Sequence, residues 1–277
     1  MRALLAALLL LIVAITPAGA APGASFGLAA DAPVYLALGD SLALGIGASD
    51  PETSGYVPLV HGTLREDLPC GEGEGSCPEL QLLNLGESGA TTDTLLETQL
   101  PAAVEILERR NGDDDPGNDV RVITVDIGGN DAVQGVFAAC ANEVTVACPG
   151  AVQETLATIE RNLTDILMPL RGAAGPDTEI AVMTYYNALV GCDYRDVADN
   201  AALVLNGVPG VMPGLNGIIR QVADRAHVTV VDTFGKLGPA DLVGGRDCLH
   251  ANDSGYQKIA TAFIDTILTG EGSGDRD

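Results

Sequence analysis

The stretch VYLALGDSLALGIGASD, Val34 to Asp50, sets a run of strand-forming apolar residues against Gly39, Asp40 and Ser41, then returns to apolar positions broken by glycines. A run with no polar alternation reads as a strand buried on both faces, which is the habit of parallel sheets covered by helices. Four more runs of this kind follow, at Leu80 to Asn84, Val120 to Ile127, Glu179 to Thr184 and Val228 to Asp232. Segments of helical period separate them. YVPLVHGTLREDL, from Tyr56, is one, and AVQETLATIERNLTDILMPL places Val152, Leu156, Ile159, Leu163, Ile166 and Leu170 on one face. The last segment opens on Asp253 as a cap, aligns Tyr256, Ile259, Phe263 and Ile267, and stops at Gly270. This alternation predicts an α/β fold, a five-stranded parallel sheet with helices on both sides.

With 277 residues and 47% hydrophobic content, the chain can bury one sizeable core. No linker or repeat divides it, so residues 21–270 are expected to form a single domain and 271–277, in GEGSGDRD, a loose tail. The 38 acidic residues against 14 Lys and Arg give a net charge of -24, which repels nucleic acid and anionic lipid surfaces. NGDDDPGND, Asn111 to Asp119, lacks EF-hand alternation and is interrupted by Pro116, so it reads as a solvated loop. Residues 1–20, with Arg2, an apolar run from Ala3 to Ile15 and the small-x-small pattern Ala18-Gly19-Ala20, read as a signal peptide cleaved after Ala20. Pro17 ends that run too early for a membrane anchor. A secreted monomer without a stable membrane anchor is expected.

Six cysteines fit an oxidising compartment. They allow fifteen pairings, but short loops favour Cys70 with Cys77 and Cys140 with Cys148, which leaves Cys192 with Cys248. No CxxC pair occurs, so a zinc site is not expected.

In an open parallel sheet, ligands gather at the carboxyl ends of the strands. Four blocks occupy such positions or close the chain near them: Gly39-Asp40-Ser41-Leu42, GESGATT from Gly86 to Thr92, Gly128-Gly129-Asn130-Asp131, and Asp247-Cys248-Leu249-His250 before the last helix. Together, in order and over most of the chain, they resemble the conserved blocks of the SGNH hydrolases, the GDSL lipase and esterase family. The resemblance implies a flavodoxin-like three-layer α/β/α sandwich and a serine nucleophile at Ser41. It also implies a base at His250 oriented by Asp247, and an oxyanion site drawn from Ser41, Gly89 and Asn130. Ala251 stands where the family often has proline, a position that takes no proton.

The residues support the same assignment on their own chemistry. A serine hydroxyl needs a base that works near neutral pH, and histidine is the usual one. Of three histidines, His61 falls within a helix and His227 just before the last strand, so both read as structural or exposed. His250 has Asp247 three residues earlier, a spacing that lets a turn bring the carboxylate to one ring nitrogen. Asp40 is expected to hold the Ser41 turn by hydrogen bonds. Gly89 suits a backbone N–H that approaches substrate closely. Asn130 reads either as an oxyanion donor or as a helix N-cap.

The chemistry implied is hydrolysis of a small-molecule or lipid ester of short to medium acyl chain, with no cofactor and no metal. Other esters, of acetylated sugars, lysophospholipids or thiols, remain open, as does an inactive binding protein. LVLNGVPGVMPGL, Leu203 to Leu215, reads as core packing or as an acyl pocket lined by Val208, Val211 and Met212.

Overall fold

The computed structural model describes residues 27–70, 75–113, 115–137, 148–191, 195–208, 210, 212–245 and 247–269. The expected signal peptide, the 271–277 tail, Gly270, Val211, Cys140 and Cys192 lie outside them.

Five parallel strands form the central sheet: β1 (Val34–Gly39), β2 (Gln81–Asn84), β3 (Val120–Asp126), β4 (Glu179–Met183) and β7 (Thr229–Val231). Their order is β2-β1-β3-β4-β7, the flavodoxin-like arrangement, and helices pack on both faces to give three layers. Each strand ends within a residue or so of its expected limits. Burial does not follow the expectation throughout: β1 is fully buried, whereas β2 and β7 are partly exposed because they are the edges of the sheet. The long amphipathic segment is a helix over Cys148–Ala174 that carries Pro169 in its interior. It packs Leu163, Ile166, Leu167 and Leu170 into the core without exposure.

Two short hairpins were not legible in the sequence. β5 (Gly207–Val208) pairs with β6 (Met212–Pro213), and β8 (Leu242–Gly244) pairs with β9 (Asp247–Ala251), both antiparallel. The block expected as a loop before the last helix is therefore β9. That helix runs over Asp253–Thr269, and its cap is one residue earlier than expected. Asn252 Oδ1 accepts the Gly255 N–H at 3.2 Å, whereas the Asp253 carboxylate takes Ser49 N–H and Oγ–H at 2.7 and 2.6 Å. The acidic loop closes on itself: Asp113 accepts the Asp115 N–H, and Asp115 accepts the Gly117 N–H.

Cys70 and Cys77 form a disulfide, as their spacing predicts. Cys248 is also disulfide-bonded; its expected partner, Cys192, is not among the described residues, and neither is the side chain of Cys148.

The chain leaves β1 toward β2 on one side and returns to β3 on the other, so the sheet reverses direction between β1 and β3. A crevice opens at the carboxyl ends of strands flanking such a switch. Ser41 follows β1 and Asn130 follows β3, which places both at that crevice.

Candidate active site

Ser41, nearly buried, sits two residues past the end of β1, in a turn held by its neighbour. Asp40 Oδ1 accepts the Leu42 N–H at 2.9 Å, and Asp40 Oδ2 accepts the Tyr185 hydroxyl at 2.9 Å. Asp40 thus supports the turn, as the sequence suggests. The Leu42 N–H is also used up and is not free to meet a ligand.

The β8–β9 hairpin brings the distant histidine to this turn. His250 Nε2 lies 2.9 Å from Ser41 Oγ across 209 positions of sequence. His250 Nδ1 lies 2.8 Å from Asp247 Oδ2, and Asp247 Oδ1 also accepts the backbone N–H groups of Leu249 and His250 at 3.0 and 3.1 Å. Those backbone bonds fold Asp247 back over its own strand, so residues three apart meet even though the segment is not a helical turn. Burial alone would raise the Asp247 carboxyl. The hydrogen bonds from the His250 ring and the two amides, with the attraction of His250, outweigh it and hold the carboxyl at about 2. Asp247 is therefore an anion at any pH where an imidazole titrates. A carboxylate on Nδ1 keeps the proton there and leaves the Nε2 lone pair for the serine hydroxyl.

The sequence offers three N–H donors for an oxyanion, those of Ser41, Gly89 and Asn130. Asn130 lines the cavity beside Ser41 and donates one amide N–H to Ala90 O at 2.9 Å, which orients the side chain and leaves its second N–H. It is not the N-cap of its short helix, Gly129–Ala132; that position belongs to Gly128. Among the described residues, neither the Ser41 N–H nor the Gly89 N–H has a hydrogen-bond acceptor. Gly89 has a φ of +80° and no atom within 4 Å of where a Cβ would stand, so the limit on substitution there is backbone strain and not crowding.

The cavity next to Ser41, about 100 Å³, has Leu42, Val133, Leu189, Val204, Leu205 and Leu249 among its apolar lining residues, with Tyr185 and Tyr186 beside them. Helix Arg195–Asn206 supplies Val204 and Leu205. Of the two readings of Leu203 to Leu215, core packing holds for Met212, while Val208 is exposed and the cavity is lined from the same segment by Val204 and Leu205. This segment stands out in the sequence but its helix was not read there; the apolar period of that helix was the available signal for Val204 and Leu205. His61 Nε2 bonds the Leu80 carbonyl at 2.8 Å, and His227 is a left-handed C-cap, so both are structural. Among the described residues, no group of three His, Cys, Asp or Glu side chains is placed to hold a metal, and no helix is long and apolar enough to cross a membrane.

A serine, a histidine and a carboxylate thus meet at the switch point of a flavodoxin-like sheet. The chain belongs to the GDSL-like lipase/acylhydrolase family, whose model matches residues 37–258. Its fold is shared with a lipase, Lip_vut3, from a goat rumen metagenome at 23% identity and a TM-score of 0.60, over 83% of this chain and 95% of that one. It is also shared with Axe2, an acetylxylan esterase from Geobacillus stearothermophilus, at 20% identity and a TM-score of 0.52, over 86% and 96% of the two chains. TesA aligns at 17% identity and a TM-score of 0.54, over 85% and 98%. No curated protein sequence matches this chain.

Proposed function

We propose that this protein is an exported serine esterase that hydrolyses carboxylic esters of short to medium acyl chain through an acyl-enzyme on Ser41. The observation that carries the reading is the continuous contact from Ser41 Oγ to His250 Nε2, at 2.9 Å, and from His250 Nδ1 to Asp247, at 2.8 Å. Ser41 Oγ attacks the ester carbonyl as His250 takes its proton, and the alcohol leaves with that proton. Water then enters under the same base and releases the acid. The Ser41 and Gly89 N–H groups and the second Asn130 N–H meet the oxyanion. Labelling by a fluorophosphonate at Ser41, together with turnover of p-nitrophenyl esters, tests the reading; a protein that does neither is a binding protein on the same fold. Export is supported by the leader-like residues 1–20 and by the Cys70–Cys77 bridge.

The apolar walls support a reading of the cavity as the acyl site. It is smaller than the roughly 300 Å³ and upward of pockets that hold drug-sized ligands, which favours short chains. Each methylene that enters should raise kcat/KM about fourfold, from about 0.8 kcal/mol per buried CH₂, until the cavity is full. Leu205→Ala should move that turning point to a longer chain. An unchanged chain-length profile in Leu205→Ala would place the acyl group elsewhere.

Asn130→Ala should lower kcat by about a hundredfold to a thousandfold with little change in KM. Asn130→Asp should lose as much or more, because it sets a negative charge facing the oxyanion. A fully active Asn130→Asp enzyme would remove Asn130 from the oxyanion site.

A further inference from the structure

Behind the Ser41 turn, two aspartates meet. Asp40 is 2% exposed and Asp126 is 0% exposed. The register of β1 on β3 pairs Gly39 with Asp126, and the Asp40 N–H donates to Asp126 Oδ2 at 3.2 Å. A Cβ at position 39 would overlap the Asp126 carboxyl, so the glycine is what admits that side chain beneath the turn. The Asp126 carboxyl is thus buried against Asp40, close enough that the charge of Asp40 raises it.

Their surroundings are neutral or anionic. Tyr185 donates to Asp40, Tyr56 donates to Asp126, and Tyr35 is turned away to Thr124 at 2.9 Å. Burial raises all three tyrosines, as it does Tyr186 and Tyr256 nearby, so they stay protonated. Asp247 adds negative charge on the β9 side, and His250 is the titratable group there that can become positive. Among the described residues, no ion pair involves either aspartate. Two adjacent carboxylates cannot both ionise in such a site. Each carboxyl accepts one amide N–H and one tyrosine hydroxyl, but the amide bond to Asp40 is the shorter, 2.9 against 3.2 Å, and His250 acts on Asp40, so the anion is better supported on Asp40 than on Asp126.

We propose that Asp40 and Asp126 hold one proton between them at working pH, carried by Asp126, so that a single fixed negative charge on Asp40 lies behind Ser41 and steadies the protonated His250. Asp40 and Asp126 are then positioning residues that act through the turn and the imidazole. Burial pushes both carboxyls upward; the Leu42 amide and the Tyr185 hydroxyl draw Asp40 back, while the charge of Asp40 raises Asp126 further and the Tyr56 hydroxyl and the Asp40 amide draw it back.

The proton can be tested without any activity. Above about pH 4 the unfolded chain releases it while the folded pair keeps it, so stability falls as pH rises. Relative to Asp126→Asn, which has no such proton, the unfolding constant of the natural protein should rise with pH from about pH 5 to neutrality in urea titrations, approaching tenfold per pH unit while the folded pair keeps its proton. Parallel pH dependences of the two proteins would overturn the proposal. Infrared spectra of the natural protein with ¹³C-labelled aspartate should show a protonated carboxyl at pH 7, and its absence would overturn it as well, even if the variant failed to fold. The assignment of the charge to Asp40 rests on the esterase reading. Asp40→Asn should lower kcat at least about tenfold more than Asp126→Asn, with KM little changed, since the charge acts on the imidazolium of the reaction and not on bound substrate. Equal losses would overturn that assignment while leaving the esterase reading intact.

Discussion

Ser41→Ala should lower kcat for p-nitrophenyl ester hydrolysis by about a millionfold, the loss seen when a triad serine is removed from a hydrolase of this kind. Without Oγ no acyl-enzyme forms, and only the oxyanion donors and bound water remain to accelerate the reaction. The fold should not suffer, because Ser41 Oγ bonds His250 and no core group, and the turn is carried by Asp40. Steady-state rates, with circular dichroism as the control for folding, check this. A folded Ser41→Ala protein that kept more than about a hundredth of the natural rate would rule out Ser41 as nucleophile.

Asp247→Asn is the second large effect. Asparagine can still bond His250 Nδ1, but its amide donates, so it turns the ring toward the tautomer whose proton sits on Nε2. The hydroxyl of Ser41 then finds no lone pair, and kcat should fall by about 10⁴. The same substitution has a signature in stability. The folded Asp247 carboxyl sits at about 2, below its ordinary value of 3.8, so its contribution is present above about pH 4 and is lost as pH falls toward 2. The stability difference between the natural protein and Asp247→Asn should therefore be largest at neutral pH and shrink between pH 4 and 2. Urea midpoints at pH 7 and 2.5 measure it. A difference independent of pH would mean that Asp247 does not act as a hydrogen-bonded anion.

Much of this site could be read from the chain because its parts obey local rules. An unalternating apolar run made β1 recognisable, and the polar residues that follow a buried strand stand out against it. Asp247 and His250 lie close in sequence, so their partnership needed no knowledge of long-range packing. Asp40 bonds the amide two residues ahead, which is also a local habit of aspartate. What escaped was of another kind. Val204 and Leu205 line the cavity because helix Arg195–Asn206 docks beside Ser41, while the neighbouring Val208 turns to solvent; no period within one segment states which face meets another segment. Asp253 has the composition of a cap, yet Asn252 takes that place because Ser49, 204 positions away, claims the Asp253 carboxylate.

By itself, then, the sequence determined the alternation of strand and helix, the serine at the end of a strand, the histidine with its carboxylate, and the Cys70–Cys77 bridge. Only the tertiary structure decided that His250 reaches Ser41, which walls enclose the acyl cavity, and that Asp126 meets Asp40 across 86 positions. The physical reason is that strand and turn propensities act over a few neighbouring residues. The Asp40–Asp126 contact depends on the register of β1 against β3 and on the space left by Gly39, which exist only once the sheet has formed.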